Sequence, residues 1–362
     1  MTESLAGTPA HPPAPRTRPD GCAQEPRAAY DTALLDLDGV VYAGGDALPH
    51  AVASLRAAAA GGMRLAYVTN NAARTPGAVA AHLTELGVPA DETDVVTSAQ
   101  AVARLVAEAV PAASKVLCSG GEGLRVALRE RGLVPVDSAD DAPVAVVQGY
   151  GGPGMPWSVL AEAALAVGRG AVWFASNTDL TIPSGRGIMP GNGAAVEVVR
   201  IATRRAEGPV VAGKPRPPMH RETILRTGAR RPLVVGDRLD TDIEGAHAGG
   251  VDSLLVLSGV TGPAELLAAR PDHRPSYVAA DLRGLLAPHP DVTPDGDGGA
   301  YRCGALRASV SGGRLVLDGE VRGQDDALDG LRALCAVAWT EAGEGQCTLD
   351  PADALERLGL GV

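Results

Sequence analysis

The sequence predicts an α/β fold whose core is a Rossmann-like, doubly wound parallel sheet. Short apolar runs typical of strands alternate with helical patterns, and this alternation is characteristic of parallel sheets covered by helices. Several of the runs end on a polar residue, at Asp36, at Thr69, shortly before Lys214 and at Asp237. Because ligands of such sheets bind beyond the carboxyl ends of the strands, we expect these residues to gather at one edge.

The elements of the core follow in order along the chain. Its helical patterns close on glycine, a residue that commonly ends helices: Gly61 and Gly62 after the first pattern, Gly87 after the second. Strands and helices alternate in both parts of the core, and these parts are predicted at 30–97 and 206–286. The predicted elements are strands at 34–35, 65–68, 209–211 and 233–236, and helices at 51–60 and 76–86.

An inserted α/β cap domain is predicted at 98–205, because the interval between two core strands is too long for one crossover and has its own alternation. Strand-like runs lie at 115–118, 144–147 and 171–174, and helical patterns at 122–131 and 159–167. Such an insertion emerges over the edge where the polar residues gather. We expect it to cover a binding site there.

Both ends of the chain differ in composition from the core. Residues 1–29 are rich in Ala, Pro and Arg and lack the apolar region of a signal peptide, so we predict a disordered leader. Residues 287–299 are rich in Pro, Gly and Asp, which indicates a linker. A small α+β domain is predicted at 300–362, with two strands and a helix near 325–339.

Composition excludes several classes of function. The net charge of −11 argues against general nucleic-acid or membrane-surface binding, because phosphate backbones and anionic lipids select basic surfaces. An acidic protein can still bind a small phosphate through one local positive pocket. The five cysteines form neither a CxxC pair nor a Cys/His cluster, so no disulfide framework or zinc site is indicated. We expect a cytoplasmic enzyme without a membrane partner.

Asp36 and Asp38 are the central candidates for catalysis. Two carboxylates one residue apart repel each other unless a cation or a shared proton relieves them. We interpret them as a Mg²⁺-dependent site in which Asp36 attacks phosphorus as the nucleophile and Asp38 acts as general acid and base. Taken alone, the pair also fits a polar turn after a strand, because Asp-Gly is a common turn sequence.

Residues after the other strands supply the remaining chemistry. The hydroxyl of Thr69 and the amides of Asn70 and Asn71 suit phosphoryl oxygens, although such a run also fits a polar turn. Lys214 is one of only two lysines, against 30 arginines, which favours a position that needs a compact ammonium over a solvated surface lysine. Its charge would neutralise the attacking carboxylate and the phosphoryl group.

Asp237 and Asp242 complete the predicted site. Asp237 follows a buried strand and would be a direct Mg²⁺ ligand, with Asp242 orienting the outer shell and Asp240 facing solvent. A carboxylate that attacks a phosphate dianion brings like charges together, so positive charge is needed around both. One Mg²⁺ and one lysine supply it.

These motifs resemble the four motifs of the haloacid dehalogenase superfamily, in the same order and over residues 31–285. The spacing is similar to that of the subfamily with a large α/β (type C2) cap, the NagD-like and nitrophenylphosphatase-like phosphatases, a group that includes glycerol-3-phosphate and phosphoglycolate phosphatases. The resemblance implies an aspartyl-phosphate intermediate and a Mg²⁺ held by the carboxylates of Asp36 and Asp237 and by the backbone carbonyl of Asp38.

The cap resembles this subfamily around Asn177 and Asp179, which the resemblance places on a substrate-facing loop. The run from Val147 to Gly151 departs from it, because it has Gly where relatives usually have Asp. The resemblance favours a small phosphorylated metabolite, glycerol 3-phosphate or 2-phosphoglycolate, as substrate, with sugar phosphates, nucleotides and nitrophenyl phosphate as alternatives. A homo-oligomer is an open alternative to a monomer.

Residues 300–362 resemble the small acetyltransferase-like domain attached to some members of this group. The pyrophosphate loop of true acetyltransferases is not recognisable around Gly323. We expect a structural or regulatory domain and not a second enzyme. The alternative of another class is a phosphate-ligand sensor or scaffold with its output through this domain.

Overall fold

The computed structural model describes residues 14, 16–184, 186–296 and 298–360. The chain divides into two compact units, residues 1–65 with 229–362 and residues 66–228. Both are mixed α/β structures with parallel sheets, which confirms the predicted fold class. Within the described ranges, no helix is long and apolar enough to cross a membrane.

Each helix and strand that the sequence predicted begins and ends within a few residues of its predicted bounds, and the structure contains others that were not predicted. Residues 16–65 form α1 (Pro26–Ala29), β1 (Thr32–Leu35), β2 (Tyr42–Ala43), β3 (Asp46–Ala47), α2 (Ala51–Ala60) and the start of β4 (Arg64–Thr69). Up to residue 130 there follow α3 (Pro76–Glu85), β5 (Val95–Thr97), α4 (Ser98–Ala109), β6 (Lys115–Ser119) and α5 (Glu122–Glu130).

The chain up to residue 228 then forms β7 (Val134–Val136), β8 (Ala145–Gln148), α6 (Trp157–Gly168), β9 (Val172–Ala175), β10 (Thr181–Ser184), β11 (Gly187–Pro190), α7 (Asn192–Thr203), β12 (Val210–Val211) and α8 (Pro217–Thr227). The elements after residue 229 are β13 (Pro232–Gly236), α9 (Glu244–Gly249), β14 (Asp252–Val256), α10 (Pro263–Leu267), β15 (Tyr277–Ala279), β16 (Thr293–Pro294), β17 (Tyr301–Cys303), β18 (Leu306–Ser311), β19 (Arg314–Asp318), α11 (Gln324–Ala342) and α12 (Ala352–Arg357).

Four parallel strands of the first unit lie in the order β15-β14-β13-β1. Leu35 pairs with Val235, and the next residue, Asp36, donates its N–H to the carbonyl of Val235 at 2.8 Å. Both strands consist largely of buried aliphatic residues, which is typical of a sheet covered on both faces. This register brings Asp36 and Asp237 to the same edge, one residue beyond each strand.

The first unit also contains an antiparallel sheet, β16-β17-β18-β19, against which α11 packs. One hydrophobic core joins this part to the parallel strands, since Leu255 and Val278 belong to the same cluster of buried side chains as Trp339. The small C-terminal domain therefore shares its core with the elements that carry Asp36 and Asp237.

The second unit contains a five-stranded parallel sheet in the order β12-β9-β8-β6-β7, and a parallel pair in which Thr69 of β4 lies opposite Thr97 of β5. Polar residues start its helices. Thr75 accepts the N–H of Ala78 at the start of α3, and Thr97 with Gln100 forms a capping box at the start of α4. The strand pair β10–β11 forms a separate hairpin.

Two segments are more ordered than predicted. The leader was expected to be disordered to residue 29, but its described part contains α1, and Cys22 exchanges backbone hydrogen bonds with His289. Residues 1–13 of that leader lie outside the described residues. The predicted linker contains β16, which pairs with β17. The predicted domain boundaries stay a prediction, since the compact units divide the chain at other points.

Candidate active site

Three carboxylates of the first unit converge: one side-chain oxygen each from Asp36, Asp237 and Asp242 lie within 4.8 Å of one another. Asp237 and Asp242 are buried, and Asp36 is half-buried. Acids this close repel each other unless a cation relieves them. Hard carboxylate oxygens are also the ligands that Mg²⁺ prefers. The residues therefore fit the predicted metal, and Asp242 lies close enough to the other two to take part directly.

The loop after β14 holds Asp237 in place. The N–H of Val260 donates to Asp237 Oδ2 at 2.7 Å, and the N–H of Thr261 donates to the backbone carbonyl of Asp237 at 3.1 Å. A Cβ at Gly39 or Gly259 would collide with the Asp237 carboxylate. These two glycines let the backbone approach the acid closely. Sequence reasoning missed this loop, because backbone N–H donors leave no mark on the side-chain pattern.

Asp242 and Asp240 lie together in the π-helical turn Leu239–Ile243 but differ in environment. Asp242 is buried and accepts the N–H of Arg238 at 3.2 Å, while Asp240 is exposed and pairs with the Arg238 guanidinium at 2.9 Å. Partial burial alone would raise the pKa of Asp240, but the hydrogen bonds and the charge of Arg238 outweigh this and keep the pKa below its usual value. The prediction that Asp240 faces solvent is confirmed.

Asp38 is exposed, and its carboxylate is not part of the three-acid group. The following turn is fixed, because Gly39 donates its N–H to the carbonyl of Tyr42 at 2.9 Å and accepts the hydroxyl of Ser258 at 2.8 Å. The φ of Gly39 is 82°, a left-handed conformation that favours glycine. An exposed carboxylate beside a metal-binding group suits proton exchange with substrate and water. Ligation through its backbone carbonyl stays a prediction.

Asn70 connects the predicted site residues of the second unit. Its side-chain amide donates to Asp179 at 3.2 Å and to the backbone carbonyl of Lys214 at 3.2 Å, and its Oδ1 accepts the N–H of Lys214 at 2.8 Å. Its carbonyl accepts hydrogen bonds from Asn177 at 2.7 Å and from Ser98 at 2.6 Å. These contacts make Asn70 the residue that positions Lys214 and Asp179. Ser98 had not been predicted.

The other residues after β4 and the lysine are also constrained. Thr69 accepts the backbone N–H of Asn71 at 3.1 Å, and Asn71 Oδ1 accepts the N–H of Ala73 at 2.9 Å. The Lys214 ammonium donates to the carbonyl of Val68 at 3.1 Å. The second unit thus brings together all six predicted substrate-binding residues, namely Thr69, Asn70, Asn71, Asn177, Asp179 and Lys214. Their contacts with substrate stay a prediction.

Comparison with known proteins agrees with this geometry. A model of haloacid dehalogenase-like hydrolases matches residues 33–134, and a second HAD-hydrolase-like model matches residues 211–285. Residues 303–360 match a GCN5-related N-acetyltransferase-like domain. The first two matches include the residues from Asp36 to Asn71 and from Lys214 to Asp242, and the first match extends into the predicted insertion at 98–205.

The chain belongs to the haloacid dehalogenase-like hydrolases. It is 44% identical over 318 residues to the D-glycerol 3-phosphate phosphatase of Mycobacterium tuberculosis, covering 86% of each chain. It is 37% identical over 260 residues to the acid sugar phosphatase of Staphylococcus haemolyticus, covering 71% of this chain and 96% of that protein.

A solved structure matches nearly the whole chain. The crystal structure of the M. tuberculosis glycerol phosphate phosphatase in complex with magnesium superposes with a TM-score of 0.81 and 41% identity, over 93% of this chain and 99% of the other. Together with the family, these similarities make this chain a phosphoric monoester hydrolase.

Proposed function

We propose that this chain is a Mg²⁺-dependent phosphatase that hydrolyses a small phosphorylated metabolite through an aspartyl-phosphate at Asp36. Glycerol 3-phosphate is the favoured substrate, with 2-phosphoglycolate next. The convergence of Asp36, Asp237 and Asp242 within 4.8 Å carries the proposal, because three such acids need a cation and one of them is half-buried at a strand end. The similarity to a glycerol 3-phosphate phosphatase supports the choice of substrate.

The chemistry divides between two acids. A carboxylate oxygen of Asp36 attacks phosphorus and forms the P–O bond of the phosphoaspartate, while the bond to the ester oxygen breaks and Asp38 donates a proton to the leaving alcohol. Asp38 then removes a proton from water, which attacks the phosphoaspartate, releases inorganic phosphate and restores Asp36. Mg²⁺, when bound by Asp36 and Asp237 with Asp242 beside them, supplies the positive charge that lets a carboxylate approach a phosphate dianion.

We propose that the residues of the second unit bind and orient substrate. The Lys214 ammonium would offset the phosphoryl charge, and Thr69 and Asn71 would donate to phosphoryl oxygens. Asn177 and Asp179 would contact the alcohol part of the substrate. The bonds of Asn70 to Lys214 and Asp179 support this division, because they keep both charged groups in fixed positions.

A panel of phosphomonoesters tests the proposal. We expect phosphate release from glycerol 3-phosphate at a higher kcat/KM than from 2-phosphoglycolate, a sugar phosphate, a nucleotide and nitrophenyl phosphate. Release should stop when EDTA removes the metal and return when Mg²⁺ is added in excess. A protein that hydrolyses none of these esters with Mg²⁺ present would refute the proposal.

Two alternatives give other outcomes. A sugar-phosphate phosphatase, which the similarity to the acid sugar phosphatase supports, would favour a hexose phosphate in the same panel. A sensor or scaffold of phosphate ligands would bind glycerol 3-phosphate in calorimetry without releasing phosphate. The intact group of acids argues against a sensor, because binding alone does not need a nucleophile beside an exposed acid.

A further inference from the structure

The protein has four asparagines in 362 residues, and all of them lie in the second unit: Asn70, Asn71, Asn177 and Asn192. Three of them form a continuous series of hydrogen bonds. Asn192 donates from Nδ2 to the carbonyl of Asn177 at 2.7 Å, and Asn177 donates from Nδ2 to the carbonyl of Asn70 at 2.7 Å. The side chain of Asn70 in turn binds the backbone N–H and the backbone carbonyl of Lys214. The series therefore ends at the lysine to which the proposed function gives the phosphoryl charge.

Asn192 is the outer end of this series, and its side chain is buried. Asparagine is a favoured capping residue, but α7, which begins at Asn192, has no side-chain cap. Asn192 is 1% exposed, and its Nδ2 also lies 3.4 Å from the carbonyl of Gln148. Its Oδ1 has no hydrogen-bond partner among the described residues, and a buried acceptor without a partner is destabilising. The side chain therefore contributes through its donor, whose shorter bond is to Asn177.

Ser98 is a second buried anchor of Asn70. Thr69 and Thr97 lie opposite each other in neighbouring strands, so Asn70 and Ser98 are each one residue beyond a strand end. Ser98 is fully buried, and its Oγ donates to the carbonyl of Asn70 at 2.6 Å. The start of α4 is already capped by Thr97 and Gln100. The hydroxyl of Ser98 is therefore not needed to cap its own helix and instead fixes Asn70.

The contacts of Asn70 transmit its position to Lys214. Its carbonyl has two lone pairs, and the two donors, Ser98 and Asn177, account for both. The backbone before the lysine lies directly against the same residue, since a Cβ at Gly213 would be 2.6 Å from Asn70 Oδ1. Packing this close leaves little room for independent movement. A displacement of Asn70 would therefore displace Lys214 as well.

We propose that Ser98 and Asn192 are positioning residues of the phosphatase reaction. Ser98 directly, and Asn192 through Asn177, hold the carbonyl of Asn70, and Asn70 holds Lys214 where its ammonium offsets the phosphoryl charge. Both side chains are buried, so neither contacts the substrate. The inference rests on the proposed function and adds two residues to it. A catalytic group that moves by about 1 Å can lower the rate by as much as 10²-fold.

Steady-state kinetics of Ser98→Ala and Asn192→Ala with glycerol 3-phosphate and Mg²⁺ test this inference. We expect each variant to lower kcat about tenfold or more and to change KM less than about threefold, because the charge of Lys214 matters most in the transition state. Thr223→Val is the matched control. Thr223 is 1% exposed in the same unit, and its hydroxyl donates to the carbonyl of Met219 at 2.8 Å. This variant should lower the melting temperature about as much as Ser98→Ala but keep kcat within a factor of about two.

The same two substitutions in a Lys214→Arg background separate positioning of the lysine from a general loss of structure. A head group that is already displaced gains nothing from its anchors, so Ser98→Ala and Asn192→Ala should lower kcat there by less than about twofold more. Equal losses in both backgrounds, or wild-type kcat in both single variants, would overturn the inference. If Asn192→Ala does not fold, Ser98→Ala, which removes one oxygen atom, decides alone.

Failure of the proposed function gives a different result. In that case wild type releases no phosphate from any ester, or Lys214→Arg keeps wild-type kcat. An active wild type that is impaired by Lys214→Arg but not by Ser98→Ala or Asn192→Ala would overturn only the role given to the two buried residues.

Discussion

Asp36 is the half-buried member of an otherwise buried group of acids, and this exposure suits a nucleophile that must reach substrate. We expect Asp36→Asn to lower kcat at least about a thousandfold, because an amide oxygen does not form the covalent intermediate. Phosphate release under saturating substrate measures this. Asp240→Asn is the matched control, since Asp240 is an exposed acid of the neighbouring turn, and it should keep kcat within a factor of about two.

Lys214 is fixed at its backbone by Asn70 and at its ammonium by the carbonyl of Val68. A guanidinium has the same charge but a larger, planar head, so it would not keep this geometry. We expect Lys214→Arg to lower kcat by about 10²-fold or more. Lys115→Arg, at the other lysine, should leave kcat unchanged, because Lys115 is an exposed residue beside Asp141. Near wild-type kcat in Lys214→Arg would refute the proposed role.

His289 makes stability depend on pH. Its pKa is about 4 in the folded chain, because burial disfavours the charged ring, against about 6.5 unfolded. As the pH falls from 6.5 towards 4, the unfolded chain takes up a proton that the folded chain does not. This costs up to ~3 kcal/mol of stability. In urea melts, His289→Gln should lose less stability than wild type between pH 7 and 4. Equal losses would show that His289 is not buried and neutral.

The site residues that could be predicted are those next to a strand end. Asp36 and Asp237 each follow a run of buried aliphatic residues, and the parallel sheet brings such positions to one edge. The backbone donors of Val260 and Thr261 could not be predicted. Every residue except proline has a backbone N–H, so the sequence does not indicate which of them bind a side chain. The structured part of the leader was missed for another reason: Cys22 pairs with His289, and no local pattern indicates so distant a partner.

At the scale of elements, the apolar runs and glycines located the strands that precede the site residues, β1, β4, β12 and β13, and α2 over its full predicted range. The hairpin β10–β11 was not predicted, since Gly187 and Pro190 dilute its apolar pattern. The sequence also did not indicate the ion pairs that join helices of the second unit. The ion pairs of Glu222 span 118 residues to Arg104 and 91 residues to Arg131.

Glu222 joins α8 to α4 and to the end of α5. Its carboxylate is fully buried and pairs with Arg104, Arg131 and Arg226. Burial alone would raise its pKa, but the hydrogen bonds from Arg104 and Arg226 hold the pKa of Glu222 below its usual value. Glu222→Gln leaves three guanidinium groups around a neutral amide.

We therefore expect Glu222→Gln to lower the free energy of unfolding by about 3–5 kcal/mol, as for a buried ion pair that loses one partner. Urea denaturation followed by circular dichroism measures this. Glu108→Gln is the control, since Glu108 pairs with Arg221 on the surface, and it should cost less than about 1 kcal/mol. Similar small losses in both variants would show that the Glu222 cluster does not hold these helices together.

At the scale of the whole molecule, the acetyltransferase-like region is part of the first unit's core. Trp339 is fully buried, and its Nε1 donates to the carbonyl of Leu266 in α10 at 3.1 Å. The guanidinium of Arg274 lies 5.8 Å from the Trp339 ring and donates to the carbonyl of Gly343 at 2.8 Å. Trp339 of α11 therefore holds α10, and α10 directly follows the loop that holds Asp237. Through this contact α11 stabilises the position of that loop.

We therefore expect deletion of residues 290–362 to leave a chain that does not fold, because the buried face of α10 and β15 would be exposed to water. A point variant makes the test quantitative. Trp339→Ala should cost about 3–5 kcal/mol in urea melts, whereas Trp157→Ala should cost almost nothing, because Trp157 is 71% exposed. A soluble deletion variant with wild-type kcat and Mg²⁺ dependence would instead make this region a separable domain. In that case a signalling role of this domain, as in the sensor alternative, would explain better than a structural role why the chain carries residues 300–362.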